Sequence, residues 1–360
     1  MFRAAIDQMA PYRPGEQPRP GQRLIKLNTN ENPYPPSPRV RRAIIKAAAG
    51  DSLRLYPRPF ADDFIAAAAR HYRFPRQMIL AGNGSDELLA MLFGATLNPG
   101  EVVAYSSPTY TLYDTLAAVR EATVAPITYS RDFALPFDEL VRAKAALTIV
   151  CNPNAPSGTL TATRTLARLA EALRPRLLVI DEAYVDFADH NALLLARSTP
   201  NVVVLRSLSK SFSLAGMRLG LCFARPDIIE GLIKIKDSYN VSRIAQAAGA
   251  AALDDAAWAM RNVERVRATR RATEAALRAI GFEVRPSSAN FVLARLDGVD
   301  LSNMVGALRR RGILVRYFAT PLLYDAIRIT IGKPAEMKAL LAELKPLITK
   351  LRARQSNGAA

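Results

Sequence analysis

Five short segments of this chain carry residue types that together could do chemistry on a small anionic molecule. Ser207-Leu208-Ser209-Lys210-Ser211-Phe212 follows directly on the apolar run Val202–Arg206. A lysine at the end of a strand, among serines, suits a cofactor that has both an aldehyde and a phosphate. The amine forms an imine, and the hydroxyls bond phosphate oxygens. Eight residues on, Arg218 offers a guanidinium to the same phosphate. The second segment is Val179-Ile180-Asp181-Glu182-Ala183-Tyr184. An acid where an apolar strand ends is expensive to bury unless it has a cationic partner. A protonated ring nitrogen would be such a partner, and Tyr184 could bond an oxygen on that ring.

Gly82-Asn83-Gly84-Ser85-Asp86-Glu87 stands between strand and helix patterns. Glycines permit close backbone approach, and exposed N–H groups at a helix start attract phosphate. Cys151-Asn152-Pro153-Asn154-Ala155-Pro156-Ser157-Gly158 is a rigid turn after another apolar strand. Ser107-Pro108-Thr109-Tyr110 could lay an aromatic ring on a flat ligand. Each segment also has an ordinary structural reading, as a capped helix, a core tyrosine or a solvated cation. Their common place at strand ends makes the set informative, because ligands bind at the carboxyl edge of such sheets.

The elements that must position these residues alternate strand and helix. Strand patterns fall at Met78–Ala81, Val102–Ser106, Thr123–Ile127, Leu147–Cys151, Leu177–Ile180, Val202–Arg206 and Gly220–Phe223. Several are apolar on both faces, as expected of a mostly parallel seven-stranded sheet sandwiched by helices. This is an α/β pattern over 45–254. Residues 255–360 read as a small α+β domain with a long helix Ala257–Ile280, strands near 282–284, 290–295, 313–315 and 327–331, and a closing helix from Pro334 to Leu351. The tail Gln355–Ala360 is expected to be disordered. Residues 1–44 form an extended arm that partly joins the small domain. Eight prolines between 11 and 38 exclude a regular helix there, while Leu24–Asn28 could be a short strand. Such an arm needs a surface to lie on, and a partner subunit would supply one.

Composition narrows the classes further. The 360 residues are half hydrophobic and carry a net charge of +17. The basic residues are scattered, with no zinc-finger spacing or aromatic RNA-binding pattern, so no nucleic-acid partner is expected. No apolar window is long enough to span a bilayer, and the first residues do not resemble a signal peptide. Two isolated cysteines and two distant histidines predict no metal site and a reduced, cytoplasmic protein.

The sequence resembles the fold-type I aminotransferases that depend on pyridoxal 5'-phosphate, and within them the histidinol-phosphate branch. The resemblance runs from Leu27-Asn28-Thr29-Asn30-Glu31-Asn32-Pro33 through Leu55-Tyr56-Pro57 and the segments above to Ile327-Arg328-Ile329-Thr330-Ile331-Gly332. It implies a Schiff base at Lys210, with Asp181 on the pyridine nitrogen and Tyr184 on the phenolic oxygen. Tyr110 would stack on the ring. Gly84, Ser85, Asp86, Ser207, Ser209 and Arg218 would hold the phosphate, joined by Tyr56 from a second subunit of a homodimer. Tyr12, Asn32, Arg316 and Arg328 would bind substrate. The family places an asparagine before the second proline of the 151–158 turn; here that position is Ala155, so Tyr184 acts alone or Asn152 or Asn154 moves in. The expected reaction is amino transfer between L-histidinol phosphate and 2-oxoglutarate or glutamate. An aromatic amino-acid aminotransferase and a decarboxylase of threonine phosphate would share these motifs.

Overall fold

A computed structural model describes residues 1–9, 15–18, 21 and 24–358. Its strands are β1 (Ile25–Leu27), β2 (Ile79–Asn83), β3 (Val102–Ala104), β4 (Ser106–Ser107), β5 (Thr123–Val124), β6 (Ile127–Thr128), β7 (Leu147–Cys151), β8 (Leu177–Asp181), β9 (Val202–Ser207), β10 (Leu219–Phe223), β11 (Glu283–Val284), β12 (Phe291–Arg295), β13 (Ile313–Tyr317) and β14 (Ala326–Thr330).

Seven of these build one sheet in the order β2-β10-β9-β8-β7-β3-β5. All neighbours are parallel except β10, which runs against both β2 and β9. Alternate residues of the central strands feed two separate apolar clusters. Leu178, Ile180, Val202 and Val204 pack to one side with the helices Asp62–Tyr72, Thr163–Leu173 and Arg243–Asp254. Val179, Val203 and Leu205 pack to the other with Ser85–Thr96, Leu112–Val119 and Pro226–Ile233. Strands covered on both faces need apolar residues at every position, which is why these runs do not alternate with polar ones.

A second sheet has the order β1-β13-β14-β12-β11. Its β1 comes from the proline-rich arm and pairs in parallel with β13, Ile25 opposite Ile313. Leu27, Val292, Ile313, Val315, Ile327 and Ile329 bury one face under the helices Ala256–Ala279, Ser302–Arg310 and Pro334–Gly358. The period of two along a strand then sends Arg316 and Arg328 to the opposite face, where they are register partners. The closing helix continues to Gly358, so residues 355–358 extend it rather than leave it as a disordered tail. Among the described residues no helix is long and apolar enough to cross a membrane.

Candidate active site

The parallel strands deliver their chemistry to one edge. β8 ends in Asp181, β9 in Ser207 and β2 in Asn83. Gly220 at the start of β10 lies opposite Ser207, and Leu219 opposite Asn83. Because β10 runs backwards, the loop 208–218 folds over this edge and carries Lys210 and Arg218 with it.

A cavity of about 130 Å³ results, lined by Ser85, Asp86, Tyr110, Asp181, Tyr184, Ser207, Ser209, Lys210 and Arg218, among others. One end is built for an anion. The helix Ser85–Thr96 starts at Gly84, with no side chain capping its N–H groups. Arg218 donates to Asp86 at 2.8 Å and reaches Ser209 Oγ at 3.4 Å. Gly84 has φ of +85°, and a Cβ there would meet the Arg218 guanidinium at 2.7 Å. A Cβ on Gly220 would lie 2.5 Å from the backbone carbon of Gly84 and the nitrogen of Ser85. Two glycines therefore keep a backbone cradle open at the helix start, where phosphate binds well.

The other end is acidic. Asp181 is buried, accepts from the Tyr113 hydroxyl at 2.7 Å and from the Ala183 N–H at 3.2 Å. Burial raises its pKa to about 6, although the Tyr113 bond pulls the other way. A carboxylate in that position is ready to pair with a ring cation. Tyr110 lies between the two ends, its hydroxyl donating to Asp86 at 3.1 Å. The donor set, the cradle and the buried acid fit a flat aromatic phosphate such as pyridoxal 5'-phosphate.

Lys210 lines this cavity and also a second one, of about 200 Å³, whose walls include Asn28, Thr29, Asn30, Arg316, Phe318 and Arg328. Its Nζ lies 3.3 Å from the Thr29 carbonyl oxygen. Burial foremost, then the nearby Arg328, lowers its pKa to about 8. Arg316 and Arg328 sit 5.3 and 5.5 Å over the Phe318 ring, and Arg328 donates to the Asn28 carbonyl at 2.9 Å. Both cavities share Tyr110, Ala155, Tyr184 and Lys210, so the amine stands at the passage from the inner to the outer one.

Two expected contacts, Asn154 and Asn32, are absent from these walls. Asn154 spends its amide on Thr109 (2.9 Å), Ser157 (3.0 Å) and the Pro108 carbonyl (3.4 Å), and so braces the turn instead of facing a cofactor. Asn152 is equally occupied with Thr161. Ala155 itself faces the cavities and packs with Tyr184, Ala289 and Phe291. Asn32 donates to the carbonyls of Lys210 and Ser211 at 3.0 and 3.3 Å and accepts from Tyr34 N–H. It steadies the lysine loop and has no amide group left for substrate. Tyr56 is 77% exposed and stacks on Tyr239 at 4.3 Å, outside the cavity of its own chain. Tyr12 lies outside the described residues. Conversely, residue type and spacing assign no role to Asn30 within the 27–33 segment, although its amide donates to the Tyr184 hydroxyl at 3.1 Å, nor to Tyr113, whose hydroxyl donates to Asp181. Tyr113 stands one helical turn from Tyr110, which is the only hint the sequence holds.

The family model for aminotransferase class I and II matches residues 22–344. The chain belongs to the class I and II aminotransferases. Among members of that family, it is 42% identical to histidinol-phosphate aminotransferase 1 of Nostoc sp., over 96% of this chain and 98% of the relative. It is 46% identical to histidinol-phosphate aminotransferase of Citrifermentans bemidjiense, over 96% and 98%. The crystal structure of histidinol-phosphate aminotransferase from Sinorhizobium meliloti in complex with pyridoxal-5'-phosphate superposes with a TM-score of 0.89 at 28% identity, covering 97% of this chain and 98% of that one. An aspartate aminotransferase from Thermus thermophilus shares the fold, with a TM-score of 0.80 at 21% identity over 91% and 92% of the two chains.

Proposed function

We propose that this aminotransferase moves an amino group between L-histidinol phosphate and 2-oxoglutarate or glutamate, with pyridoxal 5'-phosphate held by Lys210. The observation that carries it is the amine of Lys210 at the junction of an inner phosphate cradle and an outer cavity bearing two adjacent arginines. Full-length likeness to histidinol-phosphate aminotransferases supports the substrate.

When bound, the cofactor supplies an aldehyde to link the amino group and an electron-withdrawing ring. The cradle of Gly84, Ser85 and Asp86, with Ser207, Ser209 and Arg218, would orient it by its phosphate. Asp181 would keep the ring nitrogen protonated, and Tyr110 would cover one ring face. Freed from its link, the uncharged amine of Lys210 would take a proton from the substrate carbon that bears nitrogen and return it at a neighbouring atom. Tethering the base there replaces a chance encounter by a positioned one. Arg316 and Arg328 would hold the phosphate of one substrate and the far carboxylate of the other, since a guanidinium fork fits both.

Tyr56 fits a role in trans. Leu53, Leu55, Tyr56, Phe60 and Tyr239 are all exposed, an apolar patch that supports a homodimer in which Tyr56 reaches the partner's phosphate. The division into an arm (1–44), a cofactor domain (45–254) and a small domain (255–360) is proposed on the same basis as the two sheets. Cys151 and Cys222 are free buried thiols, which suits the cytoplasm.

The test is a comparison of kcat/KM for histidinol phosphate, phenylalanine and tyrosine with 2-oxoglutarate. Preference for histidinol phosphate is expected. A clear preference for phenylalanine would make the enzyme an aromatic aminotransferase, and carbon dioxide release from threonine phosphate would make it a lyase.

A further inference from the structure

We infer that Asn30 is a positioning residue that aims the Tyr184 hydroxyl proton into the cofactor cavity, an inference that rests on the functional reading above. Asn30 follows β1 in a left-handed conformation, φ 57°, and is 1% exposed. The second sheet holds it on three sides. Its N–H donates to Thr330 Oγ1 at 3.0 Å, and its carbonyl accepts from Asn290 Nδ2 at 2.9 Å. Having accepted that N–H, the Thr330 hydroxyl has a single proton to give, and Asn30 Oδ1 is 3.0 Å away. The amide orientation follows: oxygen toward Thr330, –NH₂ toward Tyr184 Oη at 3.1 Å.

An –NH₂ only donates, so the tyrosine oxygen accepts and its own proton must point elsewhere. The neighbours leave it one direction. Phe291 meets the ring edge-on at 5.1 Å, and Ala155 offers a methyl group. Lys210 lies 5.7 Å from the ring centre and, when charged, has no lone pair. Arg328 is a pure donor. The other titratable groups facing Tyr184 are Asp181, Cys151 and Tyr110. None of the three is in hydrogen-bond contact with the Tyr184 hydroxyl: Asp181 accepts from Tyr113 and Ala183, Cys151 donates to the Pro153 carbonyl, and Tyr110 donates to Asp86. The proton is left to the cavity that Tyr184 lines, where the ring oxygen of the cofactor would receive it. Thr330 thus sets Asn30, and Asn30 sets Tyr184, across the seam between the sheets.

A hydrogen bond donated to that ring oxygen stabilises its anion. The nitrogen linked to Lys210 then releases its proton at lower pH. Turning the tyrosine proton away raises the midpoint of this titration.

The experiment is a spectrophotometric pH titration of the visible band in the cofactor-loaded protein, without substrate. Asn30→Asp keeps the shape but puts an acceptor oxygen where the donor was, so Tyr184 turns its proton to it. The midpoint is expected to rise by about one pH unit, the scale of one hydrogen bond to a charged group. Asn30→Ala and Thr330→Val are expected to shift it in the same direction by less; Thr330→Val also leaves the Asn30 side chain intact. In a Tyr184→Phe background none of the three adds a further shift, as a double-mutant cycle requires of an effect passed through that hydroxyl. An unmoved midpoint in Asn30→Asp, or a shift that persists in full without the tyrosine hydroxyl, overturns the inference while the functional reading stands. A protein with no visible band that Lys210→Ala removes would overturn the functional reading, and this inference with it.

Discussion

The protonation of Lys210 in the cofactor-free protein can be worked out from its surroundings. Burial strips water from the ammonium, and Arg328 and Arg218 add positive charge; Glu31 and Asp86 oppose them. The outcome is a pKa near 8 instead of 10.5. At pH 7 about one such amine in ten is uncharged, against about one in three thousand for an ordinary lysine, a gain of roughly 300-fold in reactive form. Trace acetylation of the cofactor-free protein, with the Lys210 peptide read by mass spectrometry across the alkaline range, measures this directly. Its rate should level off just above pH 8, well below the range of an ordinary exposed lysine. Arg328→Gln should move the Lys210 midpoint upward but leave it below 10.5, because burial is the larger cause. The folded chain binds this proton less tightly than the unfolded one. Stability of the cofactor-free protein should therefore rise with pH between about 8 and 10.5, and Lys210→Met should abolish that rise. A Lys210 midpoint at the ordinary lysine value would refute the reasoning.

Further outcomes follow from other residues. Asp181→Asn should lower kcat by about 10²–10⁴, within the range of acid–base contributions. The same substitution should stabilise the cofactor-free protein at neutral pH by about 1–3 kcal/mol. The native carboxyl has a pKa raised to about 6, so its favourable contribution is complete below the unfolded value of 3.8 and lost as pH rises through 6. Thermal unfolding at pH 7.5 and pH 4 should show the advantage of the amide at the higher pH and its disappearance at the lower. Gly220→Ala drives a methyl group into the Gly84–Ser85 backbone and should cost about 1–3 kcal/mol along with cofactor affinity. Gly231→Ala, in a helix with open space at that position, should be neutral or stabilising by up to about 1 kcal/mol in a denaturant titration. Inactive Lys210→Ala subunits mixed with inactive Tyr56→Ala subunits should regain about a quarter of the wild-type activity, since each mixed dimer has one intact site; no recovery would exclude a shared site.

Much of this architecture was legible because its residues speak through type and place together. The seven strands were readable from doubly apolar runs such as Val202–Arg206, and Lys210 and Asp181 stood out as charges where such runs stop. Side-chain amides were the hard part. Asn30, Asn32, Asn152 and Asn154 are the same residue in similar turns, yet one touches Tyr184, one braces the lysine loop and two lock their own turn. What an asparagine bonds depends on which donors and acceptors the remote chain brings up, here Thr330 and Thr161. Tyr113 was silent for a similar reason. Only the packing of its helix against the sheet reveals that its hydroxyl reaches Asp181.

The pairing of Ile25 with Ile313 has a consequence for how the enzyme is made. Residues 28–30, which line the outer cavity beside the lysine, are made long before the strand that fixes β1. Between the making of β10 and that of β13 the seven-stranded sheet can be complete while its binding edge lies open to water. The arm can settle there only once β13 has arrived, so the outer wall beside the reactive amine waits on the second sheet.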